Sequence, residues 1–501
     1  MTKRKIKLKT QNEFKMIIRK NSTTMGKTDS DLSNIYLLKS FWALFSLTGF
    51  FSLAFSGIFI LVVPLSSLFW PSEPYHALEM GFMITSMFWT NSVAGLLFGR
   101  LIDKFNRTKI LLLISIIRGT CMIMLSFTIV GLGISSWVYF YIFTFMIGIS
   151  AGGNYPTIAS LSNDLIPLNS RSRFFGIRNI IRSIFRLNGF VLTGLLVLLD
   201  LWRIFFVLVG IGIILFGFLM FLTIKEPKRG ALRRELSEVL KDDAISYDFQ
   251  LDLKMMRKTI FSKTNIVALV EGIFTSVFMG SLTILFLPYI QTEPHNFSPF
   301  VTGAFLAFFG LTVGIFLKLL LAKLSDKLSK KNDIARIYSI IIALSAGTLT
   351  FVLIFYIPLP HFTIEEGKNI ALFFSFPIVW LTGIIESASS SISSLYEINQ
   401  PPVLQQINLP EAQGQVVSFN RLLEAIGWGS GPLITGIFIQ ISGNNYQLVA
   451  LIIGIFALPG IILWAISIKW YQKDKKVISL ILEERAVLLD SKHNNQSEKN
   501  E

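Results

Sequence analysis

Residues Gly99 to Ile110 read GRLIDKFNRTKI, a basic, turn-forming stretch set between two long apolar runs. A degenerate copy, AKLSDKLSK, begins at Ala322. Gly99 and Ala322 stand 223 residues apart, as do Asp103 and Asp326, and the same offset carries Gly49 to Gly272, Phe51 to Phe274, Phe55 to Phe278 and Gly57 to Gly280. Further along, GFVLTG from Gly189 recurs as GPLITG from Gly431, with the offset widened to 242 by loops of different length. The chain therefore reads as a duplication, each half carrying a polar loop between apolar segments.

Composition places those segments in a bilayer. The 501 residues are 52% hydrophobic and 15% charged, with 45 phenylalanines and a mean hydropathy of +0.60, which is membrane-protein usage. A spanning helix needs about 20 mostly apolar residues. Twelve candidates, numbered here as spans 1 to 12, are centred near residues 53, 90, 121, 148, 187, 213, 277, 310, 346, 382, 426 and 457. The first is too long for the apolar core of a cleaved signal and reads as a retained span.

A net charge of +15 raises the question of nucleic acid, which its placement answers. Lysine and arginine crowd the N-terminus, the loop at Lys104, Arg107 and Lys109, the segment from Lys225 to Lys263, the stretch from Lys323 to Lys331, and the C-terminus from Lys469 to Lys476. The alternate connections (71–79, 131–137, 291–299 and 442–446) hold none, and only Arg203 and Lys368 break the pattern. This positive-inside bias implies a multi-pass protein of the cell membrane with both termini in the cytoplasm. Nucleic-acid binding would need a basic face on a soluble module. The single cysteine, Cys121, and four histidines without ligand spacing point to no disulfide, metal or cofactor.

The organisation expected is a basic N-terminal segment (1–36), an N-terminal six-helix bundle (37–225), a cytoplasmic linker (226–262), a C-terminal six-helix bundle (263–470) and a cytoplasmic tail (471–501). The linker begins near KEPKRG and contains the amphipathic LRRELSEVL, a pattern suited to a solvated or membrane-surface helix. The end after Asp490, SKHNNQSEKNE, has the composition of a disordered tail.

Within the loop, Gly99 would let a neighbouring helix approach closely. Asp103 would accept from exposed amides at another helix's N-terminus, and Asn106 would take the left-handed conformation of a tight turn. Lys104, Arg107 and Lys109 would anchor the loop at anionic headgroups. The stretch resembles the loop signature G-x-L-x-D-[RK]-x-G-R-[RK] of the major facilitator superfamily, with Asn106 where glycine is usual and Ala322 and Ser329 departing in the second copy. The resemblance implies an all-α membrane protein of twelve transmembrane helices in two pseudo-symmetric six-helix halves. It also implies that Asp103 is half of a latch against span 11. Gly99, Asp103, Lys104, Arg107 and Asp326 are its candidate members. KEPKRG, closing span 6, resembles the spinster-like branch.

A charge in hydrocarbon costs at least about 2.5–3.5 kcal/mol, so each intramembrane ionisable group asks for a reason. Thr382, Glu386, Ser389, Ser393 and Glu397 recur at helical spacing in span 10. The resemblance places helices 1, 4, 7 and 10 around a central cavity, which would make this stripe its lining; the alternative is a packing salt bridge at Glu386. Glu271 in span 7 is a second cavity candidate, with snorkelling toward water as the alternative. Asn154, in the GISAGGNYP run, is a third. In span 5, Arg178, Arg182 and Arg186 form a cationic stripe, Arg186 about 12 Å deeper than Arg178. The repeat aligns Arg182 with Glu424 and Asn179 with Arg421 in span 11. Arg178, Arg421 and Glu424 are assigned to a cytoplasmic gate. Arg182, Arg186 and Arg118 of span 3 would meet an anionic group of the substrate; the alternative for all six is a purely structural role at helix ends that project beyond the bilayer.

The function expected is secondary active transport of a small amphiphilic or anionic organic solute by alternating access, coupled to H+. The rivals are a facilitative uniporter and a non-transporting receptor or sensor on the same fold. No GxxxxGK[ST] or HExxH string occurs, and GxSxG occurs once, as GISAG from Gly148 to Gly152, inside an apolar span with no strand before it, so neither ATP-driven pumping nor an enzyme is indicated. The partners expected are the solute, H+ and the lipid bilayer.

Overall fold

A computed structural model describes residues 33–227, 260–332 and 334–500, nearly all of them helical. The LRRELSEVL segment of the linker and the first 32 residues lie outside the described residues.

Among the described residues, twelve long helical segments follow the expected order. In the N-terminal half they are span 1, Asn34–Ile60, continued by Val62–Phe69; span 2, Ala77–Lys104; span 3, Arg107–Leu125; span 4, Ile134–Gly152 and Asn154–Leu165; span 5, Leu168–Leu198; and span 6, Trp202–Thr223. The C-terminal half holds span 7, Lys263–Gln291; span 8, which is Pro299–Phe309, a π-helical turn Gly310–Gly314 and Ile315–Lys331; span 9, Ala335–Ile354; span 10, Pro377–Gln406; span 11, Pro410–Ile441; and span 12, Tyr446–Asn500. Among the described residues 11 helices are long and apolar enough to cross a membrane. The twelfth, span 10, falls short because residues 386–400 read ESASSSISSLYEINQ; it is nevertheless packed between spans 8 and 9.

Packing repeats between the halves. Span 1 lies against spans 5 and 6 as span 7 lies against spans 11 and 12; span 3 pairs with 6 as 9 pairs with 12, and span 2 with 4 as 8 with 10. The halves meet along two seams, span 2 with 11 and span 5 with 8. Arg203, one of the two cations that break the charge pattern, serves a helix end: its guanidinium donates to the Thr128 carbonyl at 3.0 Å and lies over the Trp202 ring.

Both seams are backbone-close at the ends remote from the chain termini. A Cβ on Gly303 of span 8 would stand 2.5 Å from the Phe190 carbonyl oxygen of span 5, and one on Gly194 would stand 2.6 Å from Phe300 Cα. Gly81 faces Pro432 and Gly436 faces Ala77 across the other seam. The Leu433 amide donates to Thr85 Oγ1 at 2.9 Å, and Trp89 Nε1 to the Ile426 carbonyl at 3.4 Å. Beyond that level, toward the termini, the facing walls part, and Tyr155, Ile180 and Phe419 are exposed. The protein is closed on the far side and cleft on the side of its termini.

Two expectations change. The C-terminal segment is helical through Asn500, not disordered: span 12 meets no proline or glycine after Gly460. At about 1.5 Å per residue its 55 residues reach about 82 Å, far beyond a bilayer core of about 30 Å. Gly99 has open space around it, so the close approach expected there is not made. The tight crossing lies one turn back, where a Cβ on Gly152 of span 4 would stand 2.6 Å from Gly95 N.

The far-side seams fix the opening. Gly303→Ala forces a methyl against backbone that cannot turn away, a cost of about 1–3 kcal/mol, enough to shift a two-state balance about 5–150-fold. In a Cys121→Ala background, a cysteine at Ala77 on the other seam should be shielded from a water-soluble thiol reagent and become reactive when Gly303→Ala is added. Continued shielding would contradict coordinated opening of the two seams.

Candidate functional site

The signature loop is built around a buried arginine. Asn106 does not adopt a left-handed turn; at φ −66° and ψ 122° it is the N-cap of span 3, its side-chain oxygen accepting from the Lys109 amide at 3.1 Å. That cap directs Arg107 inward rather than toward headgroups. Only 2% exposed, Arg107 makes ion pairs with Asp164 of span 4 at 2.5 Å and with Glu226, just beyond span 6, at 2.7 Å. It also donates to the Ser160 carbonyl at 2.9 Å, and the second Glu226 oxygen accepts from the Thr108 amide at 3.0 Å. The loop thus ties the termini-side ends of spans 3, 4 and 6 into one unit. Lys104 is exposed. The side chain of Asp103 lies outside the described residues. In the second copy Asp326 is 63% exposed and 3.8 Å from Arg336. Arg336 also donates to Asn399 of span 10 at 3.3 Å.

Span 10 does not present one uniform polar face to the cleft. Its hydroxyls are packing groups. Ser389 donates to the Gly347 carbonyl of span 9 at 3.2 Å, and Ser393 sits against the same glycine. Thr382 is buried and bonds its own helix. Ser387 and Ser391 donate to Phe309 and Gly314 of span 8 at 3.0 and 3.2 Å. The two carboxylates are different. Glu386 is half-buried and Glu397 exposed, and both lie within electrostatic reach of Lys318 on span 8. Arg186 of span 5 is exposed and acts electrostatically on Lys318 and Glu397 from the other half of the molecule. Leu187, next to Arg186, packs over Gly310 at the last close contact between spans 5 and 8. This cluster of two cations and two carboxylates therefore begins where the halves part.

The arginine stripe of span 5 divides along its length. Arg182 is exposed and donates to Ser52 Oγ of span 1 at 3.1 Å. Arg178 is 2% exposed and lies over the rings of Tyr155 and Phe175, its Nε without a hydrogen-bond partner. Arg118 is buried inside the N-terminal half, 4.6 Å from the Phe51 ring centre, an arrangement stabilised by the ring quadrupole; it does not open onto the cleft. Arg421 is 73% exposed and pairs with Glu424 on its own helix at 3.0 Å. Asn420 also donates to Glu424, at 2.7 Å. Arg178 is thus not brought to Arg421 and Glu424 in this conformation.

Glu271 does not snorkel. It is fully buried in the C-terminal half, accepting from Thr275 and, at 3.3 Å, from the Tyr396 hydroxyl of span 10, which itself accepts from Gln400 at 2.8 Å. Gly460 of span 12 abuts it. Asn154 opens the second segment of span 4 after the break at Gly153, and its Oδ1 is buried without a partner.

Sequence reading missed three members: Lys318, the π-helical turn before it, and the partners of Arg107. Lys318 carries a visible signal, a lone cation inside the apolar run IFLKLLLA. Asp164 and Glu226, 57 and 119 residues from Arg107, carry none.

The sequence matches the family model of the Major Facilitator Superfamily over residues 44–397, well over half of the chain. Among solved structures, it is similar to a bacterial homolog of the human lysosomal transporter Spinster in an inward-facing and occupied conformation (TM-score 0.60, 18% identity, 87% of this chain and 98% of that one). It is also similar to the POT family transporter PepTSo (TM-score 0.64, 13% identity, 87% and 98%) and to the nucleoside transporter NupG (TM-score 0.58, 12% identity, 85% and 98%). At these identities the likeness concerns the fold. Among curated proteins none matches.

Removing one partner of a buried ion pair strands the others and costs about 3–5 kcal/mol. Arg107→Ala should therefore lower the thermal unfolding midpoint in detergent by an amount of that order. Asp326→Ala, which loses an exposed pair worth about 0–1 kcal/mol, should barely move it. Equal effects would contradict a structural role for the buried network.

Proposed function

The chain belongs to the major facilitator superfamily, and we propose that it is a secondary active transporter moving a small organic solute, anionic or amphiphilic, in exchange or together with protons. The observation that carries the reading is the charge cluster at the apex of the cleft. Arg186 from one half acts electrostatically on Lys318 and Glu397 of the other, and Lys318 in turn on Glu386, at the level where the far-side seams end. A solute bound there touches both halves, so its binding free energy can favour the conformation in which they close around it.

The charges divide unequally. The N-terminal half contributes one cation, Arg186, and the C-terminal half a net charge of −1 from Lys318, Glu386 and Glu397. Protonation of Glu386 would cancel that negative charge and weaken the attraction between the halves. Proton occupancy and cleft closure are then linked, which is the requirement for coupling. Arg182, exposed one turn from Arg186 toward the termini, would draw an anionic group toward the apex. Glu271, deep in the C-terminal half, serves as a second carboxylate linked to span 10 through Tyr396.

The positive-inside bias assigns the termini to the cytoplasm, so the cleft faces inward and the protein belongs in the cell membrane. Asp103, Lys104 and Arg107 would act at the cytoplasmic rim with Gly99 and Asp326. Arg178, Arg421 and Glu424 would approach one another only when that rim closes.

The test is proton movement in proteoliposomes holding a pH-sensitive dye, screened with solute pools. The wild type should show solute-dependent proton flux, and Glu386→Gln should lose it while retaining solute exchange. Solute uptake without proton movement would replace coupling with facilitated diffusion. Absence of any solute movement would refute transport.

A further inference from the structure

We infer that Lys318 is a residue of the transport site and that the π-helical turn of span 8 is the device that aims it there. The role in transport rests on the reading above; the placement of the lysine is geometric and stands apart from it.

Span 8 is α-helical up to Phe309, π-helical over Gly310–Gly314, and α-helical again from Ile315. A π turn holds one more residue than an α turn, and such turns recur at functional sites. Everything after it is displaced by one position, about 100° around the axis. Glycines bound the turn, and span 10 braces it at both ends: Ser387 donates to the Phe309 carbonyl and Ser391 to the Gly314 carbonyl. Span 5 packs against it through Leu187 over Gly310.

The displacement decides where the lysine lies. Gly314, Lys318 and Ser325 share one helical face, and this face is turned to span 10, since Gly314 accepts from Ser391 and Ser325 donates to Asn399 at 2.8 Å. Lys318 therefore stands between two fixed points on span 10. The charged groups that reach it are Arg186 on span 5 and Glu386 and Glu397 on span 10. In a continuous α-helix Lys318 would instead take the place of Leu319, which is 62% exposed on the outer surface. There its ammonium would meet lipid, where a charge is costly. Leu317 would occupy the position facing the carboxylates. The π turn is what allows a lysine at this point of the sequence, and Ser387 and Ser391 hold the frame.

The site gains a cation whose direction depends on helix register. A shift of the turn along span 8 would swing the lysine away from Glu386 and Glu397, so register and cleft charge are coupled. The solute best matched to Arg186 and Lys318 together bears an anionic group that both can approach.

The experiment uses full-length protein in membrane vesicles, with Cys121→Ala as background. Two single-cysteine variants, Leu317→Cys and Lys318→Cys, are exposed to a membrane-impermeant, cationic methanethiosulfonate. The cysteine at 318 should react faster than that at 317, and adding Ser387→Ala with Ser391→Ala should reverse the order. An unchanged order, or an inert cysteine at 318, would overturn the inference. In the proteoliposome assay Lys318→Gln should lose solute-dependent proton flux and Lys318→Arg should recover part of it. Wild-type behaviour of Lys318→Gln would overturn its role in the site. Failure of the wild type itself to move solute would sink the transport reading, while the labelling order would still decide the placement of Lys318.

Discussion

Backbone-to-backbone contact between the halves, through Gly81, Gly194, Gly303 and Gly436, is the constraint on which the rest of the structure depends. Only a residue without a Cβ lets a carbonyl of the partner half come this close. The contacts seal the far side and leave the other ends of spans 2 and 11, and of spans 5 and 8, apart. Water can then enter from the side of the termini, and ionisable groups that would be costly in hydrocarbon become tolerable on the cleft walls. Arg182, Arg186, Lys318, Glu386 and Glu397 follow from the shape of that opening.

Charges away from the cleft are used differently. Arg107, Asp164 and Glu226 form a buried network that holds the ends of three spans as one rigid unit. Glu271 is satisfied by hydroxyls from its own helix and from span 10. Arg118 rests on an aromatic face. These groups stiffen each half, and stiffness matters: two halves can rock as bodies about a shared site only if each keeps its shape. The unequal distribution of charge at the apex then supplies a force between bodies rather than within one.

The duplication and the number of spans were legible because they are properties of order along the chain. An offset of 223 residues between Asp103 and Asp326 survives sequence divergence, and even the polar span 10 fell into place by its position in the repeat. The general location of the charge cluster was legible too, since Glu386, Glu397 and Arg186 are charges in apolar surroundings. What escaped depends on three-dimensional register. Helical spacing placed Ser389 and Ser393 on the same stripe as Glu386, yet a helix packed on several sides turns neighbouring parts of one stripe toward different partners. Gly99 and Asn106 were read from what glycine and asparagine permit, whereas the fold uses a cap at Asn106 and open space at Gly99. The π turn leaves no mark beyond two bounding glycines, so the direction of Lys318 was hidden until the helix was seen.

In the transport reading proposed above, far-side closure and termini-side opening are opposite ends of one motion. Spin labels at Tyr155 and Phe419 report the separation of spans 4 and 11 at the termini side, and labels at Glu73 and Gln440 report the far side. The direct measurement is the two distances in lipid bilayers, across a pH step and with a transported solute. Rocking of two rigid halves requires the first distance to shorten in the same population in which the second lengthens. Distances that change together in the same direction, or a termini-side distance that never changes, would contradict it.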